Sequence, residues 1–299
     1  MKILISGASG LIGTNLISTL EAKGHEIYKL VRKTPQSFDE IQWDAENGFS
    51  ETEQAKLENF ETVVHLAGDN VAGGSWTKEK KERIKNSRVV GTKILVDGLK
   101  KCKNPPKHFI SASAIGFYGD RRDEVLTEDS AKGIGFFPEV CDAWEREAKK
   151  AESFARVVCM RIGVVLAKDG GALEKMLTPF KFGVGGTIGS GKQYMSWIAM
   201  DDIVAIVHFL LENPELKGSF NLTAPNPVTN KEFTNTLGKV LNRPTILPLP
   251  EFAVKLMFGE MGETLLLQGA RVLPKRLQES GYQFKYTDLD EAMKGVLEN

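Results

Sequence analysis

The chain has 299 residues, 41% of them hydrophobic, with 39 basic and 39 acidic side chains and hence a formal net charge of zero. That length supports one large core or two moderate ones, and the balanced charge gives no electrostatic reason to expect nucleic acid or an anionic membrane as a partner. Cys102, Cys141 and Cys159 are odd in number and lack C-x-x-C spacing, and His25, His65, His108 and His208 are scattered, so neither a disulfide framework nor a metal site is expected. The first residues lack the pattern of a signal peptide, and no apolar run approaches the ~20 residues needed to span a bilayer. The expected setting is the cytoplasm.

In chain order, Lys2–Ser6 reads as a buried strand and 11–23 as a helix with Leu11, Leu16 and Leu20 on one side, stopped by Gly24. Strands are expected at 26–32, 41–44 and 61–66. A long helix follows over 78–101, then strand His108–Ala114, helix 139–154 and strand 156–166. Beyond Leu166 the chain is punctuated by Gly170, Gly171, Gly183, Gly185, Gly186, Gly189 and Gly191, which reads as loop-rich. A helix at 202–212, a strand at 219–223, an amphipathic helix at 231–241 and a helical C-terminal stretch complete the pattern. Strand–helix alternation of this kind predicts an α/β architecture with a doubly wound, mainly parallel sheet. The expected division is 1–166 and 167–299, with part of 195–225 completing the first sheet.

Gly7-Ala-Ser-Gly10-Leu11-Ile12-Gly13 lies directly between the first strand and the first helix. Glycine there permits a tight turn and close approach of backbone to a diphosphate. The helix N-terminus presents free N–H groups and a positive dipole end to the anion. In that context the loop predicts a Rossmann dinucleotide-binding domain. An NAD site places a carboxylate at the end of the second strand for the ribose 2′-hydroxyl, but here that strand ends Leu30-Val31-Arg32-Lys33, with no carboxylate before Asp39. A guanidinium binds a 2′-phosphate bidentately, so Arg32 points to NADP(H). In the long helix, Ile84, Arg88, Gly91 and Leu95 form one stripe that is otherwise apolar or small. Arg88 there implies either a cofactor phosphate or ribose contact or a pair with a nearby carboxylate.

The G-x-x-G-x-x-G spacing resembles the extended short-chain dehydrogenase/reductase superfamily, and Val64-His65-Leu66-Ala67-Gly68 is similar to its motif flanking the adenine and ribose. The resemblance implies catalysis by a Ser/Thr after the fifth strand and by a Tyr-x-x-x-Lys pair on the next helix, with tyrosine as acid/base and lysine lowering its pKa and holding the nicotinamide ribose. Phe109-Ile-Ser111-Ala-Ser113-Ala-Ile-Gly-Phe-Tyr118-Gly119 resembles the Ser-Ser-x-x-x-Tyr-Gly stretch with an extra residue, with Ser113 as the better match and Ser111 as the alternative. Aligning Glu145 with the glutamate that often follows the lysine puts Phe137 at the tyrosine position and Cys141 at the lysine position. The acid/base pair is therefore absent. Tyr118, Ser113 and Cys141 are the candidate replacements, and Cys141 reads better as a small buried residue.

The stretch from Phe137 to Glu145, with 161–166, 185–191, 197–202 and 259–276, is similar to an atypical, epimerase-like branch whose members are described as NAD-dependent epimerase/dehydratase family proteins or cell-division-inhibitor homologues. The resemblance implies that a smaller C-terminal α/β region closes over the Rossmann domain to form a substrate cleft. Arg161–Val164 then leaves the sixth strand at that edge as a loop that touches the nicotinamide side, where its backbone amides could hold the carboxamide. The loop 183–191 with Lys192 and Gln193 is either a connector or a substrate loop. Trp197 seals the junction and Asp202 caps the following helix. The expected cofactor set is thus Gly7, Gly10, Leu11, Ile12, Gly13, Arg32, Leu66, Ala67, Gly68, Arg88, Ser111 and Val164, with Ser113 and Tyr118 as catalytic candidates and no metal. Two functions follow: an NADP(H)-dependent oxidoreductase or epimerase acting on a small carbonyl or sugar-like substrate, or a non-catalytic NADP(H)-binding sensor, as in cell division. A monomer, or a homodimer through the helices 78–101 and 139–154, is expected, with a small molecule as partner and neither nucleic acid nor membrane.

Overall fold

A computed structural model describes residues 1–298. Seven parallel strands form the main sheet in the order β11-β7-β5-β4-β1-β2-β3. They are β1 (Lys2–Ser6), β2 (Glu26–Val31), β3 (Glu40–Gln42), β4 (Thr62–His65), β5 (His108–Ala114), β7 (Arg156–Ile162) and β11 (Gly218–Leu222), which comes from the second half of the chain. Except for the β2–β3 connection, the crossovers carry helix to one face or the other, so both faces are covered and the central strands are apolar on both sides. Ile3 and Ile5 of β1 enter the core beneath α1 (Leu11–Ala22) and α6 (Met200–Glu212), whereas Leu4 enters the core beneath α3 (Lys78–Lys100) and α4 (Phe136–Lys149). Val63 and Val64 of β4, and Phe109 and Ile110 of β5, divide in the same way. A short α2 (Glu51–Ala55), capped by Ser50, precedes β4.

The chain departs from the expectation at several places from α4 onwards. The strand read over 156–166 is two strands: β7 ends at Ile162, and β8 (Val164–Leu166) leaves the main sheet to pair in parallel with β10 (Trp197–Ala199). Gly163 is the break, because a Cβ there would lie 2.4 Å from the Ser196 carbonyl oxygen. The loop-rich stretch after Leu166 holds a helix, α5 (Gly171–Lys181), which buries Leu173, Leu177 and Phe180 at i, i+4 and i+7. Helix α4 starts at Phe136, three residues before the expected 139, because Pro138 in a first turn costs no hydrogen bond.

Around these lie small pairings: β9 (Tyr194–Met195) with β12 (Val228–Thr229), and β6 (Val125–Leu126) with β13 (Arg271–Val272). Helix α7 (Asn230–Leu241) opens with a Thr229–Glu232 capping box and packs with α5, Trp197 and α10 (Leu289–Glu298) into a third core. The C-terminal stretch is not purely helical: α8 (Glu251–Gly262), a π-turn and strand β13 precede α9 (Lys275–Glu279). Asp202 is inside α6 rather than at its cap, and its carboxylate accepts the Lys285 and Tyr286 N–H groups at 2.8 and 3.1 Å. Trp197 is fully buried, with its ring N–H on the Asn226 carbonyl at 3.1 Å. No helix among the described residues is long and apolar enough to cross a membrane.

One buried triad ties the strand ends that matter next. Ser6 Oγ accepts the N–H groups of Leu66 and Ala67 at 3.1 and 3.3 Å, which leaves its proton for His65 Nδ1 at 2.6 Å. The ring's Nε2–H then faces Thr92 Oγ1 of α3 at 2.9 Å. Burial lowers the His65 pKa to about 4, so the ring is neutral. An unfolded histidine titrates near 6.5, so the unfolded chain binds this proton first, and stability falls as pH drops from 6.5 towards 4. Urea unfolding should show His65 contributing about 2 kcal/mol to the loss between pH 7.5 and pH 5. His65→Gln should flatten the profile by that amount, and an unchanged pH dependence would refute the assignment.

Candidate functional site

The carboxyl ends of β1, β2 and β4 frame the glycine loop. Gly7 adopts φ +71°, and a Cβ there would lie 2.7 Å from the Leu66 carbonyl carbon. A Cβ on Gly13 would lie 2.3 Å from the Gly7 carbonyl oxygen. These two glycines let the β1–α1 turn close on itself and on β4. Gly10 differs: it is exposed, extended at φ −80° and ψ 168°, and its Cβ would meet only the Gly7 oxygen, at 3.2 Å. It occupies the N-cap of α1 without a side-chain cap, and the first turn holds no acidic residue. The helix dipole therefore ends in uncompensated positive potential at an open backbone surface, which fits a diphosphate.

Leu11, Ile12, Leu66 and Ala67 line this surface half-buried, and Gly68 is exposed beside them. Gly170, before α5, comes close enough that its Cβ would touch Leu11 Cδ1 at 2.8 Å, so the second half of the chain borders the loop. Val164, at the start of β8, is half-buried with its N–H on the Ser196 carbonyl at 2.8 Å. On the far side, Arg32 follows β2, is exposed, and makes no hydrogen bond or ion pair among the described residues. Asp39, the first carboxylate after it, is already engaged: hydrogen bonds from Ser37 and Lys29 hold its carboxyl below the usual range, with Lys29 Nζ at 2.9 Å.

Arg88 reaches the same rim from α3. Its guanidinium donates to the Ile84 and Asp69 carbonyls at 3.0 and 3.1 Å, and lies 3.1 Å from where a Gly68 Cβ would stand. Its carbon sits 5.2 Å from the Trp144 ring centroid. The carboxylate pair that was one expectation for Arg88 is not formed. Asp69 instead takes Lys80 at 2.7 Å.

The catalytic candidates need correction. Ser113 is buried and donates to Glu145 at 2.8 Å. Tyr118 has no exposed surface; its hydroxyl donates to Asn221 Oδ1 at 2.7 Å and accepts from Arg161 at 2.9 Å. Arg161 and Glu145, both buried, form a two-pronged pair at 2.7 and 2.9 Å, and Ser219 adds a fourth bond to Glu145 at 3.0 Å. The Arg161 guanidinium also stacks 3.6 Å from the Phe117 ring centroid. These hydroxyls hold the sheet to α4 and to the C-terminal segment, since Asn221 also donates to the Leu273 carbonyl at 3.0 Å. Burial pushes the Tyr118 pKa up, the wrong direction for an acid/base near neutral pH. Ser111 is likewise fully enclosed, with its hydroxyl on the Ala112 carbonyl at 3.1 Å.

Sequence reasoning used Glu145 only for alignment and took Arg161 as part of a loop. The available signal was an acid and a base of opposite sign, each at a position its element buries, one between Met160 and Ile162 and the other beside Trp144.

At the positions the resemblance gives to tyrosine and lysine, Phe137 is half-buried and Cys141 is buried. Burial pushes the Cys141 thiol up to about 12, so it is neutral. Phe136 and Phe137 meet Trp76 edge-on, with centroids at 5.5 and 5.1 Å, and make an apolar wall. Trp76 was not singled out from the sequence. A shallow hollow of about 350 Å³ is lined by Trp76, Phe136, Lys81 and Glu260, and no residue of the glycine loop borders it.

The sequence pattern of the NAD dependent epimerase/dehydratase family matches residues 3–223, and that of a domain of unknown function (DUF1731) matches 249–296. An epimerase family protein of Mycobacterium tuberculosis is 40% identical over 292 residues, which is 97% of this chain and 96% of that protein. The crystal structure of the human epimerase family protein SDR39U1, isoform 2, with NADPH superposes with a TM-score of 0.91 at 34% identity over 100% of both chains. A nucleoside-diphosphate sugar epimerase from Corynebacterium glutamicum gives a TM-score of 0.81 at 34% identity over 99% of this chain and 58% of its own. A glycine cradle at the carboxyl edge of a parallel sheet, a family pattern spanning that sheet and full-length relatives agree: the chain belongs to the NAD dependent epimerase/dehydratase family.

Proposed function

We propose that the protein binds NADP(H) across the carboxyl edge of the sheet and serves a hydride transfer on a small carbonyl or sugar-like substrate, without a tyrosine–lysine relay. The observation that carries this reading is the open, uncapped and acid-free start of α1 beside Gly10. In this reading the N–H groups of Leu11, Ile12 and Gly13 hold the diphosphate, and Leu66, Ala67 and Gly68 flank the adenosine. Arg32 holds the 2′-phosphate, and Val164 borders the nicotinamide carboxamide. Bound NADP(H) supplies the hydride chemistry, and Phe137 with Trp76 keeps water from that side. With the hydroxyls of Ser113 and Tyr118 committed internally, the proton comes from water or from the substrate itself.

The unpaired Arg32 and the engaged Asp39 support NADP(H) over NAD(H), and so does the NADPH in the human relative's structure. Calorimetric titration should show NADPH binding at least about tenfold tighter than NADH, with the preference lost in Arg32→Ala, as expected for a charge-assisted contact. Equal affinities in the wild type, or an unchanged preference in the variant, would reject Arg32 as the reader of the 2′-phosphate.

A second reading, a non-catalytic NADP(H)-binding protein, is favoured by Phe137 and Cys141 standing where acid and ammonium would be needed. Offering aldehydes, ketones and nucleotide sugars to the NADPH-loaded protein separates the two. Oxidation of NADPH supports hydride transfer, and firm binding without turnover supports the second.

A further inference from the structure

Arg88 is half-buried, yet none of its hydrogen-bond partners carries a negative charge. Both hydrogen bonds run to neutral carbonyls, those of Ile84 and Asp69. Each charged group packed nearby is spoken for. The Asp69 carboxylate is held by Lys80 at 2.7 Å and approached by Arg83 at 3.7 Å. Glu145 is matched by Arg161. Cys141, the thiol beside it on α4, is neutral. Two N–H bonds also leave donors of the five-donor guanidinium free. A half-buried, unmatched cation of this kind is costly to keep unless something else uses its charge.

Its place along the sheet edge says what. The strand order puts β2, with Arg32 at its end, on one side of the β1–α1 loop and β4 and β5 on the other. Arg88 bridges that other side, from Gly68 after β4 to Trp144 on α4. With the diphosphate on α1, the adenosine phosphate on Arg32 and the adenosine ending at Gly68, the second nucleoside lies beyond Gly68 towards β5 and α4, where Arg88 extends to Trp144.

We propose that Arg88 is the fixed positive charge of the nicotinamide half of the site, delivered from α3 in place of the α4 lysine whose position Cys141 holds, and that it makes the protein select reduced over oxidised cofactor. This inference rests on the NADP(H) reading above. The oxidised nicotinamide ring carries a positive charge and the reduced ring carries none, while the rest of the molecule is the same. An unmatched guanidinium therefore penalises only the oxidised form. Two unit charges about 10 Å apart, at an effective dielectric constant of about 20, change an equilibrium about tenfold.

The test is calorimetric titration with NADPH, NADP⁺ and 2′,5′-ADP, which lacks the nicotinamide half. The proteins are wild type, Arg88→Gln and the double variant Arg88→Gln/Cys141→Lys. Wild type should favour NADPH over NADP⁺ about tenfold. Arg88→Gln should bring the ratio near one while 2′,5′-ADP affinity stays within about twofold, and the added Cys141→Lys should restore the ratio. A ratio that does not move in Arg88→Gln overturns the inference and leaves the NADP(H) reading intact. Loss of 2′,5′-ADP and NADPH affinity in parallel overturns it too, because Arg88 would then only be shaping the loop. Failure of all three ligands on the wild type overturns the NADP(H) reading itself.

Discussion

Arg161→Ala should lower the unfolding free energy by about 3–5 kcal/mol, the cost of leaving a buried carboxylate without its counter-charge. Arg161 and Glu145 are 4% and 2% exposed, so solvent cannot step in for the lost partner. The guanidinium also holds the Tyr118 hydroxyl and stacks on Phe117, and Tyr118 leads through Asn221 to the backbone of the C-terminal segment at Leu273. The damage should therefore spread from β7 to the segment after β13, and the melting temperature should fall on the order of 10 °C. Replacing both charges, Arg161→Met with Glu145→Met, should recover part of the loss, since an apolar pair removes the unmatched charge. A single-variant loss under about 1 kcal/mol would show that the pair is not the fastening this geometry describes.

Gly10→Asp should abolish measurable NADPH binding, by at least about a hundredfold, while leaving the melting temperature unchanged or slightly raised. The two effects separate because of where Gly10 sits. Its backbone already has the extended N-cap conformation, its side-chain direction meets only the Gly7 oxygen at 3.2 Å, and aspartate is a favoured N-cap residue. The same carboxylate would occupy the positive end of α1 and repel a diphosphate. Fluorescence titration and thermal unfolding of one preparation read both. Retained binding would mean that the nucleotide is held elsewhere, and a large fall in melting temperature would mean that Gly10 serves the turn and not the ligand.

Much of this was legible in the sequence, for local reasons. Strands Lys2–Ser6 and His108–Ala114 are apolar on both faces, and their bounds read the same in sequence and structure. The glycine loop could be read because its context, strand before and helix after, spans only a dozen residues. What could not be read depends on partners far away in the chain. Nothing near Gly163 announces that the Ser196 carbonyl will press against it and split the strand. Glycines at 170 and 171 suggested loop, although the apolar spacing of Leu173, Leu177 and Phe180 carried the helix.

The site divided in the same way. The proposed nucleotide half rests on backbone geometry and one strand-end cation. The catalytic candidates, a serine and a tyrosine, could be judged from the sequence only by residue type and position. Only the fold shows that Glu145, 32 residues beyond Ser113, claims the serine, and that Asn221, 103 residues beyond Tyr118, claims the tyrosine.

The most direct test of the nucleotide site is amide hydrogen exchange of the wild type with and without saturating NADPH. Protection should appear together at 10–13 at the start of α1, at 66–69 after β4 and around Val164, with little change in α7 or α10. Binding without protection at 10–13, or protection confined to the C-terminal segment, would contradict a dinucleotide lying on the β1–α1 loop.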